Sequence, residues 1–221
     1  MTLSPFDTLV ARLTVRLGSE LPGPSAQRVM APVPRTPWPT DLSPEAARQA
    51  AALLLLYPVD GTTCLALTRR ASHLTRHGGQ ISFPGGVIEP EETVEGSALR
   101  EAQEEVGVDP TTIRVIGRLT PLHIFVSGFV VHPVVAAAAV RPQFAPDRYE
   151  VERILDVPLP VLMDPATVRL RRKQGETRHL EVPYFLIDGE TVWGATAMML
   201  AEFLTVLGHP PFRPSGPTDY D

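Results

Sequence analysis

Glu101, Glu104 and Glu105 sit in the run "REAQEEVGV" at spacings that gather them on one side of a helix. At about 100° of rotation per residue they occupy an arc of roughly 100°, beside a stripe of small apolar residues formed by Val94, Ala98, Ala102 and Val106, with Leu99 next to it. Stability alone argues against this arrangement. Like charges at such spacings repel, and carboxylates in a last helical turn oppose the helix dipole, each at a cost of roughly a few tenths of a kcal/mol. Arg100 can pair with Glu104 one turn away, but one cation does not neutralise three anions. A solvated acidic face is the plain explanation of a charge run. Here the border with the apolar stripe and the glycine-rich "FPGG" upstream favour a ligand instead. Hard divalent cations such as Mg2+ take oxygen ligands from carboxylates and backbone carbonyls, with waters and substrate phosphates completing the shell. Three glutamates beside an accessible glycine carbonyl supply that donor set.

The neighbouring charges divide differently. Glu89, Glu91 and Glu92 are expected at or near the helix start, where the dipole favours negative charge, and Glu95 in solvent. Gly85 and Gly86 permit a close ligand approach that a β-carbon would block. Upstream, Arg69, Arg70, His73, Arg76 and His77 form a basic cluster in a chain that is acidic overall. Arginine suits phosphate because its fork donates two hydrogen bonds at once. The cluster reads as an anion site or, equally, as a solvated strand end.

These residues need a scaffold. Residues 4–18 predict a helix capped by Ser4, with Pro5 at its first position, Phe6, Leu9, Val10, Leu13 and Leu17 on one stripe, and Gly18 at its end. Seven prolines from Pro22 to Pro44 predict an extended arm, in which Trp38 is a natural anchor. "AALLLLY" and "CLALTRR" around "PVDGTT" predict a hairpin, and Gly107 stops the acidic helix that follows. "IRVIGRLT" and "GFVVHPVVAAAAV" read as strands, Pro133 placing the second at an edge or a bulge. Residues 146–165 predict one short helix with irregular connections, and "HLEVPYFLI" begins a hairpin that turns at "DG". "ATAMMLAEFLTVLG" predicts a last helix ending at Gly208. The fold class expected is α+β, a mixed β-sheet between helices.

With 221 residues, 43% of them hydrophobic, the chain can bury one substantial core with an appendage. A net charge of −5 leaves no general basic surface for nucleic acid. The single cysteine, Cys64, lies in the apolar run "CLAL" and is expected as a buried strand residue. No apolar run approaches the roughly 20 residues of a membrane span, and the N-terminus lacks the apolar core of a signal peptide, so a cytoplasmic location without a membrane partner is expected.

Gly86, Glu92, Arg100, Glu101, Glu104, Glu105 and Gly107, with Ala102 and Val108 at the apolar positions, resemble the Nudix hydrolase box Gx5Ex7REUxEExGU at every fixed position. The resemblance implies an α/β/α sandwich in which Glu101, Glu104 and Glu105, with the Gly86 carbonyl, hold Mg2+ or Mn2+ against a diphosphate. It also implies that Glu92 and Arg100 brace loop and helix. "ALTRRASHLTRHGGQISFPGG" is similar to the signature of the coenzyme A diphosphatase branch, LLTxR[SA]x3Rx3Gx3FPGG, at Leu67, Thr68, Arg70, Ala71, Gly79 and Phe83 to Gly86. It departs at Ala66 and at Thr75, where the pattern has arginine and the neighbour is Arg76. "VPYF" and "VWGATAMML" also resemble segments of this branch.

The domain division implied is an N-terminal helix and proline-rich arm over 1–45, a hydrolase domain over 46–210 and a tail over 211–221. The reaction implied is hydrolysis of coenzyme A to 3′-phosphoadenosine 5′-phosphate and 4′-phosphopantetheine by a monomer or homodimer. Arg69, Arg70, Arg76, His77 and Phe83 are the candidate substrate contacts, while Phe83, Tyr184 and Trp193 either line the same site or belong to the core. Glu104, Glu105 and Glu150 in "YEVERI" are the candidate general bases. The alternatives are another nucleoside diphosphate derivative, such as ADP-ribose or NADH, or a non-catalytic nucleotide-binding module.

Overall fold

Residues 50–57 are apolar without alternation, the pattern of a strand covered on both faces. The structure, a computed structural model, describes residues 3–34, 46–174, 179–213 and 219–220. In chain order its elements are α1 (Pro5–Leu17), α2 (Gly23–Gln27), β1 (Arg48–Val59), β2 (Thr62–Arg70), β3 (Ile81–Ser82), β4 (Gly85–Val87), α3 (Val94–Val106), β5 (Ile113–Arg118), β6 (Leu122–Ile124), β7 (Phe129–Ala138), β8 (Val151–Pro158), α4 (Leu159–Met163), β9 (Val168–Gln174), β10 (His179–Ile187), β11 (Glu190–Trp193), α5 (Gly194–Leu207) and β12 (Asp219–Tyr220).

Strand β1 is central in the larger sheet, parallel to β7 and antiparallel to β2 and β4, so the sheet is mixed. Its side chains alternate between two cores. Ala51, Leu53, Leu55 and Tyr57 pack with Ala98, Ala102 and Val106 of α3. Ala52, Leu54 and Leu56 join a second cluster with Val10, Leu13 and Leu17 of α1, Leu200, Phe203 and Leu204 of α5, and Phe185 of the smaller sheet. That sheet runs in the order β11-β10-β9-β12. The class is therefore α+β, with the mixed sheet between helices.

Several elements differ from expectation. The proline-rich stretch is partly helical: Gly23–Gln27 form α2 and Arg28–Met30 a 3-10 turn. Pro24 stands in the first helical turn, where its missing N–H has no intrahelical partner to lose. Trp38 lies outside the described residues. Pro133 is on β7, which is interior, not an edge. Its carbonyl accepts from Leu119 N at 3.0 Å, and a residue's N and C=O point the same way in a strand, so the missing donor faces the gap between β5 and β6. Residues 151–158, expected as helix or connection, form β8 against β2. Strand β9 escaped the reading because arginines alternate with its buried Val168 and Leu170. Cys64 is buried on β2, as expected.

Glu202 of α5 is fully buried and accepts hydrogen bonds from Gly23 N at 3.2 Å, Gln27 Nε2 at 2.8 Å and Thr120 N at 3.2 Å. It ties α2 and the β5–β6 connection to α5. Glu202→Ala takes the acceptor from the buried Gly23 N–H and the part-buried Thr120 N–H, while Gln27 Nε2 keeps the Thr120 carbonyl at 3.0 Å; a loss of about 2 kcal/mol in unfolding free energy is expected in a denaturant melt. Unchanged stability would show these contacts to be inconsequential.

Candidate active site

Glycine lets two strands and a helix converge. β4 pairs with β1 through Ala51–Gly86 and Ala52–Gly85, and a β-carbon at position 85 would lie 2.2 Å from the Ala51 carbonyl oxygen. A β-carbon at position 86 would lie 2.4 Å from the carboxylate of Glu101. The glycine loop is thus pressed directly against the acidic face of α3. Thr93 caps that helix, its Oγ1 accepting from Gly96 N at 3.0 Å. Glu89, Glu91 and Glu92 lie in the segment just before this cap, near the helix start. Glu95 is not simply solvated, because its carboxylate pairs with Arg118 of β5.

Helix α3 ends at Gly107, which is left-handed and closely approached by Ala145. The chain returning after β7 is laid on this end: Ala145 N donates to Val106 O at 2.9 Å and Asp147 N to Glu105 O at 3.0 Å. Ala71 N then donates to Glu150 O at 2.8 Å, so Glu150 is brought beside the end of β2.

Glu105 is only 4% exposed and accepts from Gly85 N at 3.2 Å and Arg70 Nη1 at 3.4 Å. Burial pushes its carboxyl up to about 7; Arg70 and the Gly85 N–H oppose the rise, and Glu150 and Glu101 add to it. Glu101 is raised as well, chiefly by burial, with Arg100 opposing and Glu104 and Glu150 adding. Glu104 is exposed and bonded to Arg100 Nη1 at 2.9 Å. Arg100 holds Glu92 through Nε at 2.8 Å and Nη2 at 3.1 Å, Glu101 through Nη1 at 2.9 Å, and the Val87 carbonyl at 3.2 Å. Its hydrogen bonds keep Glu92 down to about 2.

Four carboxylates from two segments therefore converge, two of them disfavoured as anions by their surroundings. Among the described residues no three such side chains already surround one point at ligand spacing. Arg100 links Glu92, Glu101 and Glu104, and Arg70 meets Glu105. Two guanidinium groups supply part of the positive charge the cluster needs. A buried carboxylate repelled by its neighbours is relieved by a proton or a cation, so this all-oxygen donor set fits a hard divalent ion.

The basic cluster does not act together. Successive strand residues face opposite ways, so Arg70 shares the α3 face with Glu105 while Arg69 turns to the other. There Arg69 holds Glu190 at 2.7 Å and Glu152 at 3.4 Å, away from Glu105. Phe83 is 4% exposed and belongs to the core, one of the two places the sequence left open for it. Tyr184 is likewise buried. Arg76 and His77 are exposed in the β2–β3 loop, where His77 Nδ1 pairs with Gln80 Oε1 at 3.0 Å. Two residues escaped the sequence reading: Tyr149, 69% exposed with its ring 5.0 Å from that of His73, and Arg148 before it. Their signal was slight, an arginine and an aromatic in a proline-flanked polar stretch.

Gly86→Ala should cut activity sharply while the fold persists, because the new methyl group displaces the mobile end of Glu101 and not the backbone. Steady-state kinetics with a thermal melt checks both halves; an active Gly86→Ala protein would separate this contact from the chemistry.

A glycine loop on the central strand of a mixed sheet, set against clustered helical carboxylates, is a donor set suited to a hard divalent cation. The chain belongs to the Nudix family: the model of the NUDIX domain matches residues 47–176. Enzymes of this family generally use divalent cations such as Mg2+ or Mn2+. The Nudix hydrolase NudL of Pectobacterium atrosepticum, itself uncharacterized, is 37% identical over 166 residues, covering 73% of this chain and 84% of that protein. NudL of Yersinia pestis is 31% identical over 156 residues, covering 70% and 78% respectively. Among solved structures, a MutT/nudix family protein from Enterococcus faecalis aligns with a TM-score of 0.46 at 16% identity, over 96% of this chain and 78% of that one. The Nudix hydrolase RenU of M. smegmatis aligns with a TM-score of 0.41 at 27% identity, over 51% and 71%. No helix among the described residues is long and apolar enough to cross a membrane.

Proposed function

We propose that this Nudix hydrolase cleaves the diphosphate of coenzyme A to 3′-phosphoadenosine 5′-phosphate and 4′-phosphopantetheine. The observation that carries the reading is Arg70, the arginine of the upstream signature, whose guanidinium lies 3.4 Å from Glu105 of the box. The two motifs that resemble this branch thus meet at one point, a cation for the substrate beside an anion for the metal. Glu101, Glu104 and Glu105, with the Gly86 carbonyl, hold Mg2+ or Mn2+. The bound ions supply charge neutralisation and Lewis acidity to the diphosphate.

The side chains have separable tasks. Arg70 hydrogen-bonds a diphosphate oxygen, which Arg69 cannot do from the opposite face. Glu92 and Arg100 keep the loop before α3 fixed to the helix, so the ligands stay at their spacing. Glu150 takes the proton from the attacking water: it comes from a different segment, yet its charge is felt at both Glu101 and Glu105. Glu150→Gln should therefore lower kcat with little change in metal affinity, whereas Glu101→Gln should lower both. Equal metal affinity and equal kcat loss in the two variants would contradict this division of roles.

Thr75, where the signature has arginine, makes substrate preference the point to test. Coenzyme A, ADP-ribose and NADH compared at equal concentration with Mg2+ and with Mn2+ decide it. Coenzyme A should have the highest kcat/KM; a higher value for ADP-ribose or NADH would move the protein to another substrate within the family.

A further inference from the structure

Both walls of one open cleft continue directly from residues of the site. Ala71, Ser72 and His73 follow Arg70, and Val151 and Glu152 follow Glu150, with Arg148 completing the lining of a space of about 440 Å³. The ring of His73, which lines the cleft, lies 5.0 Å from that of Tyr149 and tilted by 60°, a corner into which a flat base can stack on one ring with its edge to the other. Tyr149 is 69% exposed, so this pair contributes little to the core. Arg148 is exposed and enters no ion pair among the described residues. The carboxylate in the cleft, Glu152, is already met by Ser72 Oγ at 2.8 Å and Arg69 Nε at 3.4 Å, which blunts its repulsion of an anion.

We infer that this cleft seats the adenosine 3′-phosphate end of coenzyme A, the His73 and Tyr149 rings taking the base and Arg148 the 3′-phosphate. The inference rests on the coenzyme A reading above and adds the residues that select for that end of the molecule. Stacking accepts the base without reading its edge, and a guanidinium fork recognises a phosphate monoester. The diphosphate, attached at the 5′ position, then extends toward Arg70 and Glu150, where the walls of the cleft begin.

Calorimetric titration of the full chain with adenosine 3′,5′-bisphosphate, AMP and 4′-phosphopantetheine tests this without any turnover. The wild type should bind the bisphosphate about tenfold more tightly than AMP, and Arg148→Ala should abolish the difference. His73→Ala and Tyr149→Ala should each weaken both nucleotides about tenfold and leave phosphopantetheine unchanged. All three side chains are exposed, so melting temperatures should stay at the wild-type value. A preference that survives Arg148→Ala, ring variants that bind like wild type, or a wild type that binds neither nucleotide would overturn the proposal. Bisphosphate binding that depends on Arg148 in a protein inactive on coenzyme A would sink the catalytic reading and leave the cleft standing. Coenzyme A hydrolysis with wild-type kcat/KM in all three variants would do the reverse.

Discussion

Glu105→Gln should lower turnover by roughly a hundred- to a thousandfold, the scale on which removal of one preorganised charge at a reacting phosphate acts. The same substitution should not harm the fold. Glu105 is almost fully buried, its environment disfavours the charged form, and a neutral amide of the same shape can still accept from Gly85 N. The metal-free variant should then be at least as stable as wild type at alkaline pH, an opposition between activity and stability that damage to the core would not produce. Activity assays and denaturant melts on the same preparations read both quantities. Glu101→Gln should lose turnover on the same scale, whereas Glu104→Gln should lose less, because its carboxylate is exposed and half neutralised by Arg100. Wild-type turnover in Glu101→Gln or Glu105→Gln would remove these residues from the chemistry.

The second large effect is on pH dependence. The Glu105 carboxyl is raised in the folded protein to about 7, so folding favours its protonated form. Its contribution to stability is fully present below the ordinary carboxylate value and is lost as pH rises through about 7. Without divalent cations the protein should lose on the order of 3 kcal/mol of unfolding free energy from this group between mildly acid and mildly alkaline solution. Saturating Mg2+ should restore it, because a cation binds the deprotonated carboxylate and displaces the proton. Stabilisation by Mg2+ should accordingly be larger at alkaline than at acid pH. Glu105→Gln isolates the term: its metal-free stability curve should lack this part of the slope. Superimposable curves for wild type and Glu105→Gln would mean that the carboxyl is not perturbed as its burial implies.

The site was more legible in the sequence than the fold around it. Fixed residue types at fixed spacing carry the glutamate cluster and its glycine loop, and α3 from Val94 to Val106 delivers them as a single rigid element. The central hairpin was equally plain, because β1 is apolar on both faces and its turn carries Asp60–Gly61. Local pattern failed where tertiary context decides. Pro133 reads as an edge signal, yet β7 is interior because the absent donor meets a gap between two partner strands. Residues 151–158 look like a proline-bounded connection, and only pairing with β2 makes them a strand. Arg69 and Arg70 are equivalent in a one-dimensional reading; the alternation of a strand sends one to Glu190 and the other to Glu105. Phe83 belongs to a signature that resembles a substrate motif, but its ring fills the core. Glu150 was a candidate base in the sequence, but its place beside the end of α3 follows only from the hydrogen bonds from Ala145 to Val151 that lay its segment there.

Product identification after incubation of coenzyme A with the purified protein and Mg2+ tests the central claim most directly. Mass spectrometry should show 3′-phosphoadenosine 5′-phosphate and 4′-phosphopantetheine appearing in equal amounts, with neither formed when the cation is chelated and both formed far more slowly when Glu105→Gln replaces the wild type. Coenzyme A that is bound but recovered intact, or products that accumulate equally without divalent cation, would contradict it.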